Sequence, residues 1–188
     1  QTMKRVKKIG FDAAQISGVC AMDPSALRQI MLDAGVTPIG AHVGMDQFVN
    51  DLAGTIETCQ KWGVSYAAIP WLDASKLKTM QDWKALAKKV DAIGKTMGQE
   101  GLVLQYHNHM FEFEKFGIKN GKGGMFFLDL LFGHTKYLQA ELDLGWVARG
   151  NQSPVAWALK MKGRLDQVHL KDWGVKDNQP CWRAIGEG

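Results

Sequence analysis

The sequence predicts an α/β fold, a TIM (β/α)8-type barrel lacking its first strand and last helix. Short apolar runs alternate with amphipathic stretches along all 188 residues, a pattern that argues for a parallel sheet flanked by helices. About seven such runs occur, where a closed barrel needs eight. The chain opens on a helical stretch and stops on a strand-like one, as expected of a barrel trimmed at both ends. The later runs also end in ionisable residues, and the C-terminal ends of barrel strands converge on one mouth. The rival, an open doubly wound sheet, would carry GxGxxG after an early strand, and none is present.

Met3, Val6 and Ile9 give residues 1–9 helical spacing, and Gly10 closes that helix. Residues 11–17 read as a strand. Asp23-Pro24 starts a helix as N-cap and first-turn proline, with Leu27, Ile30, Met31 and Ala34 on one face and Gly35 as its end. A strand over 36–43 follows. A helix over about 46–62 stops at Gly63, and a strand over 64–70 ends beside Trp71. Trp83, Leu86, Val90, Ile93 and Met97 mark one face of a helix over about 80–99. The strand 101–109 leads into a longer loop or short hairpin through Phe111–Phe113 and the glycine-rich stretch 117–124. A short apolar helix over 125–132, a strand over 137–144, a helix opened by Ser153-Pro154, and strands over 165–172 and 182–187 complete the pattern. No linker or repeat divides it, so one domain over residues 1–188 is expected.

Composition narrows the class. A hydrophobic fraction of 46% and a charged fraction of 22% suit a globular protein with a sizeable core. No apolar run reaches membrane-spanning length. The basic start, Gln1-Thr-Met-Lys-Arg-Val-Lys-Lys, is followed by no apolar signal-peptide core. The net charge of +4 is spread over the predicted helices, which favours solvated faces over an acidic ligand and shows no aromatic–basic pattern for nucleic acid. Cys20, Cys59 and Cys181 are far apart and odd in number, without a CxxC pair. Reduced thiols and a cytoplasmic location are expected, with export left open because the true N-terminus is not established.

His107 and His109, two apart on a predicted strand, would point the same way. The competing reading is a hydrogen-bonded pair that supports the pocket wall. Glu141 and Asp143 share a face of the next strand, with Asp143 nearer its C-terminal end and the better metal ligand. Burying such carboxylates without a cation or donors is costly, and a structural ion pair is the alternative. His169 and Lys171 repeat the geometry one unit later. His169 suits a divalent metal through one ring nitrogen, or a core role. Lys171 suits a substrate oxygen or a plain ion pair. Asp172 should point away toward a neighbouring loop. Glu187 stands between two glycines that let the backbone approach a ligand or simply turn.

Taken in order, Tyr106-His-Asn-His109 with Phe111-Glu-Phe113, Glu141-Leu-Asp143-Leu-Gly-Trp146, Gly163-Arg-Leu-Asp-Gln-Val-His169-Leu-Lys-Asp172 and Ile185-Gly-Glu-Gly188 resemble the sugar phosphate isomerase/epimerase family of xylose-isomerase-like TIM barrels. The resemblance spans nearly the whole chain. It implies a divalent metal, Mn, Mg, Co or Zn, at the barrel mouth. Asp143, His169 and Glu187 match three of the family's four strand-end ligands. The fifth strand departs from the pattern, offering Gln105, His107 and His109 where the family has Glu. His107 is the expected substitute, with Glu112 as the fallback.

The implied chemistry is removal of a proton beside a sugar carbonyl, giving a metal-stabilised enediolate. His109 or Glu187 would act as base and Lys171 would assist. Reprotonation elsewhere gives isomerisation or epimerisation. Loss of a β-oxygen makes the protein a lyase or hydratase on a keto-sugar or inosose. A non-catalytic sugar-binding barrel or an inactive fragment is the third reading. His42 and Trp71, at earlier strand ends, and Trp146 and Arg149, after the sixth strand, are candidate substrate contacts, with packing or surface pairing as their alternative. The expected partner is a small sugar or sugar derivative, with neither nucleic acid nor membrane, and room is left for a homo-oligomer.

Overall fold

The computed structural model describes residues 1–19, 21–117 and 123–188. Cys20 and residues 118–122 of the expected glycine-rich loop lie outside the described residues. The chain divides into two compact units, Gln1–Pro70 with Ile93–Gln105, and Trp71–Ala92 with Tyr106–Gly188. No helix among the described residues is long and apolar enough to cross a membrane.

The first unit runs α1 (Thr2–Ile9), β1 (Ala13–Ile16), α2 (Pro24–Asp33), β2 (Thr37–His42), α3 (Met45–Asn50), α4 (Leu52–Trp62) and β3 (Tyr66–Ile69), then the last residues of α5 (Met80–Gln99) and the start of β4 (Val103–His107). β1, β2 and β3 pair in parallel. The Val103 amide donates to the Ser65 carbonyl at 2.9 Å, which sets β4 beside β3. Asp23 caps α2 by accepting from the Ala26 amide at 2.9 Å. The expected single helix over 46–62 is two helices. Asp51 leaves the helical conformation at φ −151° and accepts from the Gly54 amide at 2.9 Å. A short carboxylate competes well for free amide donors, so the sequence starts a new helix there. Val36, Ala41, Cys59, Ala67, Ala68, Ile69 and Leu104 are buried in the core.

In the second unit, β5 (Lys115–Phe116) and β6 (Met125–Phe126) pair antiparallel, the short hairpin of the two sequence alternatives. α6 (Phe127–Gly133), β7 (Leu138–Asp143), α7 (Leu144–Arg149), α8 (Pro154–Lys160) and β8 (Leu165–His169) follow. β7 and β8 are parallel, with Asp143 opposite His169. The last two residues of β4 flank β7, giving the order β4-β7-β8. Asp91 accepts from the Lys136 and Tyr137 amides just ahead of β7, at 2.5 and 2.7 Å. Arg164 donates to the Phe132 and Leu138 carbonyls and ties the turn before β8 to both ends of the same loop.

The strand ends near the site differ from expectation. β4 stops at His107, so His109 lies beyond the strand. β7 stops at Asp143 because that residue caps α7. The run 165–172 ends at His169, and Asp172 opens β9 (Asp172–Lys176), which pairs antiparallel with β10 (Gln179–Arg183). The expected strand 182–187 is thus the second arm of a hairpin ending at Arg183. Asp177 and Asn178, both at positive φ, form its turn, the conformation that tight hairpins demand and that Asp and Asn tolerate.

Candidate active site

The four residues Tyr106-His-Asn-His109 separate into four tasks. The His107 ring is buried and faces β7. Asn108, also buried, stitches the strand ends: the Asp143 amide donates to its Oδ1 at 2.9 Å, and its Nδ2 donates to the Asp143 carbonyl at 3.3 Å. A side-chain amide thus replaces one peptide group of a strand ladder. Tyr106 donates its hydroxyl to Glu112 Oε1 at 2.7 Å, and the His109 amide donates to Glu112 Oε2 at 2.9 Å. The His109 ring sits 5.1 Å from His107 and 5.0 Å from Trp146, centroid to centroid.

Strand alternation turns Glu141 and Asp143 to one face, and both are fully buried. Two imidazoles span them. His107 directs Nδ1 to Glu141 Oε1 at 3.4 Å and Nε2 to Asp143 Oδ2 at 3.8 Å. His169 directs Nε2 to Glu141 Oε1 at 2.6 Å and Nδ1 to Asp143 Oδ2 at 3.7 Å. One donor atom each from His107, Glu141 and His169 lies within 4.8 Å of the others. Asp143 works in two directions: Oδ1 accepts from the Trp146 amide at 2.9 Å, while Oδ2 meets Lys171 Nζ at 2.9 Å.

The electrostatics follow from this crowding. Hydrogen bonding to Asp143 and Glu141 holds the His169 imidazolium up at about 9, against the cost of burial. Burial pushes Asp143 upward, but His169 and Lys171 outweigh it and hold the carboxyl below its ordinary value. Burial raises Glu112 to about 7, because its partners are neutral donors.

Two neutral or anionic oxygen donors beside two imidazoles form a borderline donor set suited to a divalent transition metal. Two carboxylates buried side by side also need positive charge, which His169 and Lys171 supply in this state. The residues present therefore fit a cation.

The remaining candidates have settings of their own. Glu187 is exposed and pairs with Arg183 at 3.2 Å. Its turn is held by Asp172, whose carboxylate accepts from the Gly186 amide at 2.8 Å and the Gly188 amide at 3.0 Å. That agrees with the expected outward role of Asp172. Arg149 stacks on Trp146, Trp173 and Trp182 at 4.8, 4.7 and 5.8 Å, a packing role for its guanidinium. Trp71 is 54% exposed. In the first unit, His42 ends β2 with Nδ1 3.3 Å from the Ser17 hydroxyl. Glu112, the fallback ligand, points to Tyr106 and the His109 backbone instead. Sequence reasoning passed over Glu141 in favour of Asp143 and gave Asn108, Trp173 and Trp182 no role. Alternation along β7 was the available signal for Glu141; the contacts of the other three are long-range.

Gly145 permits the close packing beneath the site. A Cβ there would stand 2.5 Å from Lys171 Cβ and 2.8 Å from Trp182 Cζ3. Beside it opens a hollow of about 390 Å³ lined by Trp146, Lys171, Trp182 and Arg183 among others.

No protein-family model matches the sequence, and no curated protein matches it. Solved structures do match. A sugar phosphate isomerase/epimerase from Parabacteroides distasonis superposes with a TM-score of 0.79 at 22% identity, over 94% of this chain and 70% of that one. A xylose isomerase domain protein from Planctomyces limnophilus gives 0.73 at 11% identity, over 99% and 76%. A probable 3-DHS dehydratase from Bacillus anthracis gives 0.69 at 10% identity, over 94% and 68%. The fold is that of the xylose-isomerase-like TIM barrels.

Proposed function

We propose that this chain is an enzyme acting on a small sugar or sugar derivative by removing a proton beside a carbonyl, as a divalent-metal-dependent isomerase or epimerase. The observation that carries the reading is the square of His107, Glu141, Asp143 and His169, buried except at the half-buried His169. Those four side chains would hold the cation. When bound, it would supply Lewis acidity toward a substrate carbonyl oxygen.

The protein's own groups supply the rest. His109, at the rim of the square, is the base we assign for the proton beside the carbonyl. Lys171 offers an ammonium to a substrate oxygen from the hollow next to Trp146 and Trp182. Asp143 restrains that ammonium and so fixes its direction. His42 and Trp71, at the ends of their strands, are proposed substrate contacts by the barrel's general placement of sites. Trp146 lines the hollow, and Arg149 keeps its indole in place. Glu187, paired to Arg183, carries no role in this reading.

A lyase or hydratase is the second reading, favoured by the likeness to a dehydratase. It shares the first proton transfer and differs in which bond breaks next.

The test joins metal analysis to isotope exchange. Protein stripped with a chelator and reloaded with Mn, Mg, Co or Zn is incubated with a panel of ketoses in deuterated water. Metal-dependent deuterium at a carbon beside the carbonyl supports the reading, and a new stereoisomer or loss of water tells isomerase from lyase. Failure of all four metals to bind would overturn it.

A further inference from the structure

The buried carboxylate of Glu112 has no place in the chemistry above, yet it is among the most enclosed charged groups of the second unit, 2% exposed. Among the described residues no basic side chain forms an ion pair with it. Its two oxygens are used separately, one by the Tyr106 hydroxyl and one by the His109 backbone amide. From these contacts we infer that Glu112 is a positioning residue for His109: it clamps the segment that follows β4 and so sets where the His109 ring stands. The inference rests on the assignment of His109 as the base.

The local sequence builds the clamp. Phe111–Phe113 form a single 3-10 turn after His109. Phe113 docks that turn, packing edge-on against Trp157 at 5.1 Å and against Phe126 at 6.4 Å. Gly150 leaves room for it, since a Cβ there would stand 2.5 Å from Phe113 Cδ2. With its neighbour Phe113 fixed, the side chain of Glu112 turns inward under the end of β4. Phe111 lies nearly parallel to the His109 ring at 6.3 Å, so the same turn touches His109 from its ring side as well.

The choice of Glu is chemically specific. Two donors converge on one side chain, an O–H and an N–H. An ionised carboxylate offers acceptors on both oxygens. Glutamine offers one acceptor and one donor, and its amide nitrogen would oppose one of the two donors. Aspartate is one methylene shorter and cannot span both. His109 needs such a hold because it lies past the last residue of β4. Base catalysis depends on ring placement to within a few tenths of an ångström, and supporting hydrogen bonds provide it.

The experiment compares wild type, Glu112→Gln and Tyr106→Phe by NMR and calorimetry, using Zn²⁺ alone as ligand probe. In Glu112→Gln the His109 amide should exchange with solvent at least about tenfold faster, and the His109 ring carbon shifts should move. Exchange at Val90, buried on α5, should stay unchanged, which separates a local clamp from a general loss of stability. Tyr106→Phe should give a smaller change of the same kind and provides the test if Glu112→Gln does not fold. Zn²⁺ affinity should stay within about threefold of wild type. Unchanged His109 amide exchange and ring shifts in both variants would overturn the clamp, as would a tenfold or greater loss of Zn²⁺ affinity in Glu112→Gln. The assignment of His109 is tested apart from this: metal-dependent deuterium exchange surviving in His109→Gln removes the base and leaves the clamp intact.

Discussion

His169 Nε2 and Glu141 Oε1 meet at 2.6 Å across neighbouring strands, two residues beyond the direct pairing in which Glu141 faces Gln167. This diagonal contact ties the end of β8 to the interior of β7 and places a positive charge between two carboxylates.

The metal-free protein should therefore lose stability in mild alkali. The His169 pKa is raised to about 9 in the folded state against an ordinary 6.5, with Asp143 the larger cause and Glu141 the second. The folded state binds the proton more tightly, so this contribution is complete below pH 6.5 and is lost as pH rises through 9. About 2 kcal/mol is expected, after allowance for the partial exposure of the ring. Thermal melts in chelator between pH 6 and 9.5 would show the fall, and His169→Gln should flatten it.

Glu112 gives a slope at lower pH. Its pKa is raised by burial to about 7 from 4.5. Here too the folded state holds the proton more tightly, but the group is an acid. Stability should fall as pH rises from 4.5 to 7, by on the order of 3 kcal/mol. Glu112→Gln should remove that slope in denaturant titrations at fixed pH values across the window.

Asp143→Asn separates the two tasks of Asp143. The asparagine oxygen still caps α7 by accepting from the Trp146 amide, so the helix should persist. Removing the charge takes away an anionic donor and the partner of Lys171, and divalent-cation affinity should drop by about 100-fold. Asp143→Ala adds the lost cap, about 1 kcal/mol more. Calorimetric titration with Zn²⁺ and melting curves of both variants would test the ranking.

Gly145→Ala should destabilise the protein by about 1–3 kcal/mol, the usual cost of overpacking. The added methyl collides with Lys171 Cβ and Trp182. A melting temperature equal to wild type would show that β9 and β10 yield without cost.

Much of the fold was legible because hydrophobic period and capping residues agree along the chain. Asp23-Pro24 and Ser153-Pro154 mark helix starts that the structure confirms through bonds to the Ala26 and Ala156 amides. The errors fall where one polar side chain decides a boundary. Asp51 splits a helix that its apolar neighbours would continue, and Asp143 ends a strand by starting a helix. The hairpin after β8 was missed because Asp177-Asn178 was not read as a turn. At the site, alternation makes Glu141 and Asp143 share a face, and spacing along the chain sets His107 beside it. The roles of Asn108 and Glu112 were hidden, since each is defined by a contact with backbone far from it or folded back on it. Such contacts leave no periodic trace.

The divided carboxylate of Asp143 has a mechanical consequence. One oxygen anchors the first turn of α7 and the other faces the histidines, so the group cannot rotate toward an arriving ligand without pulling on a helix. That helix carries Trp146 and Arg149, whose stacked rings and guanidinium extend to the hairpin. A cation entering the square would therefore strain the indole cluster at its edge, and indole fluorescence would report its arrival.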